Sequence, residues 1–152
     1  MKVAIGADHA GFPLKGKIIE VVRGLGHEAI DLGTDSTEPV DYPDIAAAVG
    51  QAIQQGRAER GVLVCGSGVG AAIAATKLRG VRCGVCHDTY SAHQAVEHDD
   101  MNVLALGARV VGPALVIELV SAFLKASFSG EERHARRLRK VAELERKLYM
   151  ER

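Results

Sequence analysis

Residues 61–75 restrict the fold more tightly than any other stretch of this chain. The apolar run Gly61-Val62-Leu63-Val64 closes on Cys65, and Gly66-Ser67-Gly68-Val69-Gly70 follows, with a glycine at every second position. The small apolar series Ala71-Ala72-Ile73-Ala74-Ala75 comes next. An apolar run bounded by glycines reads as a buried strand, the glycines as a tight turn, and the alanine-rich series as the start of a helix. Glycine lets the backbone take left-handed dihedrals and approach a ligand closely. N–H groups at a helix start face outward as an anion site. The turn thus offers a thiol, a hydroxyl and several N–H donors to one small volume.

The alternation of strand and helix extends along the chain. Lys2 to Gly6 reads as a first strand with Ala7-Asp8-His9-Ala10-Gly11 as its exit loop. Pro13 suits a first helical turn, and Leu14, Ile18, Ile19 and Val22 mark the buried face of that helix. Gly24 and Gly26 stop it, and Ala29 to Gly33 reads as a second strand. Thr34 to Asp41 is a polar loop, and Pro43 opens a helix to about Gln55. After the strand to Cys65 a helix runs to about Leu78. Val81 to Cys86 is a fourth strand, Asp88 to Glu97 a helix, Asn102 to Leu106 a fifth strand, and Pro113 to about Phe128 a helix. Gly130 separates these from a charged final helix, Glu131 to about Met150. Near-continuous apolar strands are those covered on both faces. The expected fold is therefore an α/β three-layer sandwich around a five-stranded parallel, Rossmann-like sheet, with an extra C-terminal helix. In such sheets ligands bind beyond the carboxyl ends of the strands, at a switch in strand order. That rule groups three loops: Asp8-His9, Cys65 to Gly70, and the residues after Cys86.

A chain of 152 residues makes a single domain with a sizeable core. Nineteen Lys and Arg balance nineteen Asp and Glu, so no global charge favours nucleic acid or an anionic membrane. With no Trp, three Phe and three Tyr, stacking platforms for single strands are absent too. No apolar run approaches the roughly 20 residues of a membrane span. The first residues lack a basic stretch followed by a long apolar core, so no secretory leader is expected. Cys65, Cys83 and Cys86 are then expected as reduced thiols in a cytoplasm.

Each chemical candidate has a plainer counterpart. A cysteine closing a core strand resembles a small buried hydrophobe, but the glycine turn and Ser67 make Cys65 a candidate base or nucleophile. Gly66, Gly68 and Ala71 also match G-x-G-x-x-A, and Asp88 lies twenty residues after Gly68, so a dinucleotide site with its ribose-binding acid competes. The glycines follow the third strand and not the first, which weighs against it. Cys83-Gly84-Val85-Cys86-His87 has the spacing of a haem attachment or half a zinc site, yet residues three apart on a strand point to opposite faces, which disfavours any metal there. His98 stands beside Asp99 and Asp100, an arrangement that favours an imidazolium and general acid work, or else a solvated turn. Arg133 and Arg137 share a helical face and could fork onto a phosphate, or only line a charged surface. In the final helix Leu138, Val141, Leu144 (or Glu145) and Leu148 form a narrow apolar stripe that fits either a partner chain or the helix's own domain.

Six segments in order resemble type B ribose-5-phosphate isomerase, a family that includes allose-6-phosphate and galactose-6-phosphate isomerases: Ala7 to Gly11, Asp41-Tyr42-Pro43, Cys65 to Gly70, His98-Asp99-Asp100-Met101-Asn102, Gly107 to Gly112, and Arg133-His134-x-x-Arg137. The resemblance runs from about residue 2 to 140. It implies an aldose–ketose isomerase working through a cis-enediol without metal, nucleotide or other cofactor. Cys65 would move the proton between C1 and C2, Ser67 would shuttle a hydroxyl proton, and N–H groups from Gly66 through Val69 to Gly70 would hold the enediolate oxygen. His98 would open the furanose ring, with Asp8, Tyr42 and Asp99 near the sugar and His9, Arg109, Arg133 and Arg137 on the phosphate. Asp99 departs from the Asn often found there. Family members without the cysteine use a Glu further on, where this chain has Ala74 and Ala75. The resemblance also implies a homodimer or homotetramer with shared sites, in which His98, Asp99 and Arg109 come from the neighbouring chain and the last helix embraces it.

Overall fold

The computed structural model describes residues 1–150, as five strands and six helices. In chain order these are β1 (Lys2–Ala7), α1 (Phe12–Gly24), β2 (Glu28–Asp31), α2 (Tyr42–Gln54), β3 (Arg60–Cys65), α3 (Val69–Ala75), β4 (Cys83–Val85), α4 (Thr89–Asp99), β5 (Val103–Gly107), α5 (Pro113–Lys125) and α6 (Glu132–Met150). All strand pairs are parallel, in the order β2-β1-β3-β5-β4. The expected five-stranded parallel sandwich is thus the observed one.

Strand composition explains the layering. The three central strands are apolar at every inward position because each face carries its own core. On one face Leu14, Ile18 and Val22 of α1 pack with Val96 of α4 and Val116, Leu119 and Phe123 of α5. On the other, Ala46, Val49 and Ala52 of α2 and Ala71 and Ala75 of α3 cover Ala4, Leu63, Cys65 and Ala105. Small residues dominate this second face, so its helices lie close to the sheet. Cys83 packs on the α2/α3 side and Cys86 within the opposite core, which confirms that these two thiols diverge. Burial pushes the Cys83 thiol up to about 12.

Three details differ from the sequence reading. The strand expected over Val81 to Cys86 is reduced to Cys83–Val85, because the Asn102 side chain takes the Arg82 N–H and Val81 N–H bonds back to Leu78. The third helix stops at Ala75 and not near Leu78, ending in a turn where Lys77 and Leu78 N–H donate to Ala74 and Ala75. Strand order is the third correction. Since β5 separates β3 from β4, the loop beside Cys65–Gly70 is the one after β5, not the one after Cys86. Residues after Cys86 lie one strand further out, where His87 Nε2 accepts the Gly107 N–H at 2.9 Å.

The switch in order falls between β1 and β3, whose neighbours lie on opposite sides. There the loops are joined by backbone: Asp8 N–H donates to Val64 O at 3.2 Å, Ala108 N–H to Cys65 O at 2.8 Å, and Arg109 N–H to Gly66 O at 3.0 Å. Such approach needs glycine. A Cβ at Gly11 would lie 2.5 Å from the Val64 carbonyl carbon and closer still to its oxygen, whereas one at Gly16 on the outer face of α1 would meet nothing. Gly16→Ala is therefore expected to raise stability by about 0.5–1 kcal/mol. Gly11→Ala should lower it by roughly 1–3 kcal/mol or more, through displaced backbone. Urea melts of the two variants check the contrast, and equal effects would contradict this packing.

Candidate active site

Asp8, Tyr42, Cys65, Gly66, Ser67, Gly70, Arg109 and Val110 line a cavity of about 300 Å³ at the carboxyl edge of the sheet. Each arrives there for a local reason. Cys65 ends β3 and is 5% exposed, with its Sγ accepting the Gly68 N–H at 3.1 Å. Gly68 can turn the chain back onto the sulfur because it adopts φ +82, where side chains are strained. Ser67 Oγ accepts the Val69 N–H at 3.2 Å, which leaves its hydroxyl proton uncommitted. Gly68 and Val69 are thus engaged by the turn itself. The N–H groups of Gly66, Ser67 and Gly70 donate to no acceptor among the described residues, and these three line the cavity. Of the N–H groups from Gly66 to Gly70, these three are the uncommitted ones.

Asp8 is 5% exposed, and its Oδ1 accepts N–H bonds from Ala10 at 3.0 Å and Gly11 at 2.9 Å. Its second carboxylate oxygen remains as an acceptor. His9 Nδ1 accepts the Val40 N–H at 3.1 Å, so in the neutral ring the proton sits on Nε2. Tyr42 starts α2 and lays its ring against Gly70, where a Cβ would lie 2.8 Å from Cζ. The Arg109 guanidinium lies beside Gly66. The expectation that Arg109 comes from a neighbouring chain is corrected: it lines the same cavity as its own Cys65.

His98, Asp99, Arg133 and Arg137 are elsewhere. α4 returns against the strands, so its C-terminus lies near the start of β5, where Asn102 O accepts the Gly61 N–H. Cys65 pairs with Gly107 at the far end of the same ladder. Four residues of strand between these ends make roughly 13 Å. The two groups of residues therefore lie at opposite edges of the sheet.

The second group is built around a stack of imidazoles. The rings of His98 and His134 are parallel within 25°, with centroids 3.9 Å apart. His98 Nδ1 contacts Gln94 Nε2 at 2.8 Å; with the amide nitrogen donating, the neutral ring carries its proton on Nε2. His134 is 2% exposed. Arg133 Nε can only donate, so His134 Nε2 accepts at 3.2 Å and its proton sits on Nδ1, facing Ser129 Oγ at 2.6 Å. The carboxylates expected beside His98 are not its partners: Asp100 pairs with Arg82 at 3.1 Å, and Asp99 is exposed. His134 is the residue that sequence reasoning missed. It stands inside the Arg133-His134-x-x-Arg137 segment, but only the fold reveals its ring against His98.

The nucleotide alternative fails on geometry. Asp88 caps α4, its Oδ1 accepting the Ser91 N–H at 2.7 Å, and it follows β4, which β5 separates from the glycine turn. Among the described residues no helix is long and apolar enough to cross a membrane.

Burial, with the positive neighbours His98, Arg133 and Arg137 adding to it, depresses the His134 pKa below its ordinary 6.5. In the unfolded chain His134 takes up a proton as pH falls through 6.5, while the folded chain resists it. Folding stability is then full above 6.5 and declines below it. His134→Phe should flatten the fall in melting temperature between about pH 7 and pH 5. His27, whose pKa burial also lowers, leaves a residual slope. An unchanged slope would reject a neutral His134.

Comparison with known proteins agrees with this architecture. Residues 3–141 match the family described as Ribose/Galactose Isomerase. The chain is 44% identical over 146 residues to ribose-5-phosphate isomerase B of Escherichia coli (strain K12), covering 96% of this chain and 97% of that one. It is also 44% identical over 131 residues to D-erythrulose-4-phosphate isomerase of Pectobacterium atrosepticum, covering 86% of each. The structure of Clostridium thermocellum ribose-5-phosphate isomerase B superposes with a TM-score of 0.94 at 46% identity, over 97% of this chain and 99% of that one. With a donor-lined thiol cavity on one sheet edge, a His and Arg cluster on the other, and a family match spanning both, the chain belongs to the ribose/galactose isomerase family.

Proposed function

We propose that this protein interconverts ribose 5-phosphate and ribulose 5-phosphate through a cis-enediolate. The observation that carries this reading is the cavity itself, in which a cysteine sulfur, three uncommitted N–H groups, a carboxylate and an arginine converge. Proton transfer beside a carbonyl needs a base at one carbon and donors where negative charge develops on oxygen. Cys65 takes the proton from C2 of the open aldose and returns it to C1. The N–H groups of Gly66, Ser67 and Gly70 hold the enediolate oxygen, and the Ser67 hydroxyl passes a proton between the two oxygens. Asp8 and Tyr42 orient the sugar. Val69, 51% exposed at the rim, contributes its backbone to the turn. His9, through Nε2–H, and Arg109 meet the phosphate. No step requires a metal or cofactor, and the chemistry fits a cytoplasmic metabolic enzyme with free thiols.

The second half-site completes the cavity of another copy. His98 of one subunit protonates the furanose ring oxygen in its neighbour's cavity, Asp99 meets the sugar, and Arg133 and Arg137 close on the phosphate. The final helix supports such an assembly. It rests on its own chain through a polar face, with Glu145 accepting the Gly80 N–H at 2.7 Å and the Tyr149 hydroxyl donating to Lys77 O at 2.6 Å. Its apolar stripe is left open, with Val141, Leu144 and Leu148 52%, 63% and 66% exposed. Covering what remains exposed of these side chains on a second subunit would stabilise a dimer by about 1–2 kcal/mol each. A dimer, alone or paired into a tetramer, thus makes two shared sites.

Incubation with ribose 5-phosphate in D2O, followed by proton NMR, tests the activity directly. Ribulose 5-phosphate should appear, and faster than the ketose from allose 6-phosphate, galactose 6-phosphate or the interconversion of erythrulose 4-phosphate. Absence of turnover would reject the reading, and preference for another sugar would reassign the substrate. Cys65→Ala should lower kcat by about 10²–10⁴ while leaving the melting curve in place. A variant that turns over normally would remove Cys65 as the base. Mixing inactive Cys65→Ala and His98→Asn subunits should restore about a quarter of wild-type activity. Half the dimers are then mixed, and one site in each keeps both residues. No restoration after subunit exchange would contradict shared sites.

A further inference from the structure

The feature that the chemistry above leaves unused is a buried amine. Lys15 lies in α1 with its side chain 9% exposed, an unusual burial for lysine. All three of its donors are engaged: Nζ lies 2.9 Å from Asp31 Oδ2, 2.7 Å from Thr34 O and 3.3 Å from Asp35 Oδ1. The ammonium also sits 5.2 Å from the Phe12 ring centroid. Burial works against its charge, but the Asp31 and Asp35 carboxylates outweigh this and raise its pKa above 10.5.

What the amine holds is the polar loop 32–41, which has neither helix nor strand. The loop leaves β2, bonds to the end of β1 through Leu32 N–H to Ile5 O and Thr34 N–H to Ala7 O, and then runs free to Val40. Between Thr34 and Val40 the Lys15–Asp35 contact is its one side-chain tie to another element among the described residues. Val40 N–H then donates to His9 Nδ1 at 3.1 Å, and Asp41 stands at the N-cap position of the helix that Tyr42 begins. The same few residues therefore set the tautomer of His9, which follows the cavity residue Asp8, and the entry angle of the cavity residue Tyr42.

We propose that Lys15 is a positioning residue for the substrate site: by clamping Asp31, Thr34 and Asp35 it anchors the loop whose far end orients His9 and Tyr42. This rests on the reading of His9 and Tyr42 as substrate contacts. The clamp touches no reacting atom. Its loss loosens substrate binding in ground and transition states alike, so it acts on KM and not on kcat.

The test uses the full chain and two readouts. Nitrogen-15 NMR of the substrate-free protein, with His9 assigned through His9→Asn, reports its tautomer. Steady-state kinetics with ribose 5-phosphate report KM and kcat. Wild-type His9 should be the Nε2–H tautomer. Lys15→Met should mix the two tautomers and raise KM about five- to tenfold, the scale of one lost hydrogen bond, with kcat within about twofold. Asp31→Asn keeps an acceptor for the Gly33 N–H while removing the charge, and should shift both readouts in the same direction by less. It carries the test where Lys15→Met does not fold. Variants that lose thermal stability but keep the wild-type His9 tautomer and KM would overturn the proposal, leaving Lys15 a brace only. Should wild-type protein not isomerise ribose 5-phosphate, the substrate reading fails separately, and the His9 signal still decides whether Lys15 governs the loop.

Discussion

Everything at the candidate site depends on backbone meeting backbone at the carboxyl edge of the sheet. Val64 O, Cys65 O and Gly66 O accept from Asp8, Ala108 and Arg109, so the exits of β1, β3 and β5 are bonded into one unit. Side chains cannot occupy that space. A Cβ at Gly107 would lie 2.7 Å from the Ser67 backbone, and one at Gly68 2.9 Å from Leu106. The tightness has a chemical consequence. A turn bonded on both sides cannot move when charge appears in the cavity, and fixed donors are what stabilise a developing oxyanion.

Parallel strand direction then separates the two kinds of chemistry. Loops after strands gather at one edge, and helices between strands end at the other. Cys65 belongs to the first class and His98 to the second, so no rotamer change brings them together. α6 lies on its own domain by a polar face and leaves its apolar stripe exposed.

The polar residues that are buried do specific work. Among the described residues no buried side-chain nitrogen or oxygen lacks a partner. Asp8, Lys15 and His134 are the three buried polar side chains. Unpaired, each would cost more than a surface group returns. Paired, each holds one geometry: Asp8 the β1 exit, Lys15 the polar loop, His134 the ring of His98.

Much of this was legible in the residues themselves. Apolar runs without alternation announced a sheet covered on both faces, and glycines at every second position after Cys65 announced a turn that brings N–H groups near a thiol. These are local properties, set by the period of burial and by which dihedrals a residue can take. The three-residue spacing of Cys83 and Cys86 was enough to send their sulfurs to opposite cores. Strand order was not legible, because the insertion of β5 between β3 and β4 is decided by which apolar faces pack best, not by any single segment. That order put Arg109 beside its own Cys65 and removed Asp88 from the glycine turn. The pairing of His98 with His134, and of Lys15 with the loop before His9's partner Val40, likewise joins residues 36 or 16 to 20 positions apart. The sequence by itself determined the elements, the glycine turn and the residue types available to it. Only tertiary structure decided which of them share an edge of the sheet, because contacts between distant segments arise from packing that no local pattern encodes.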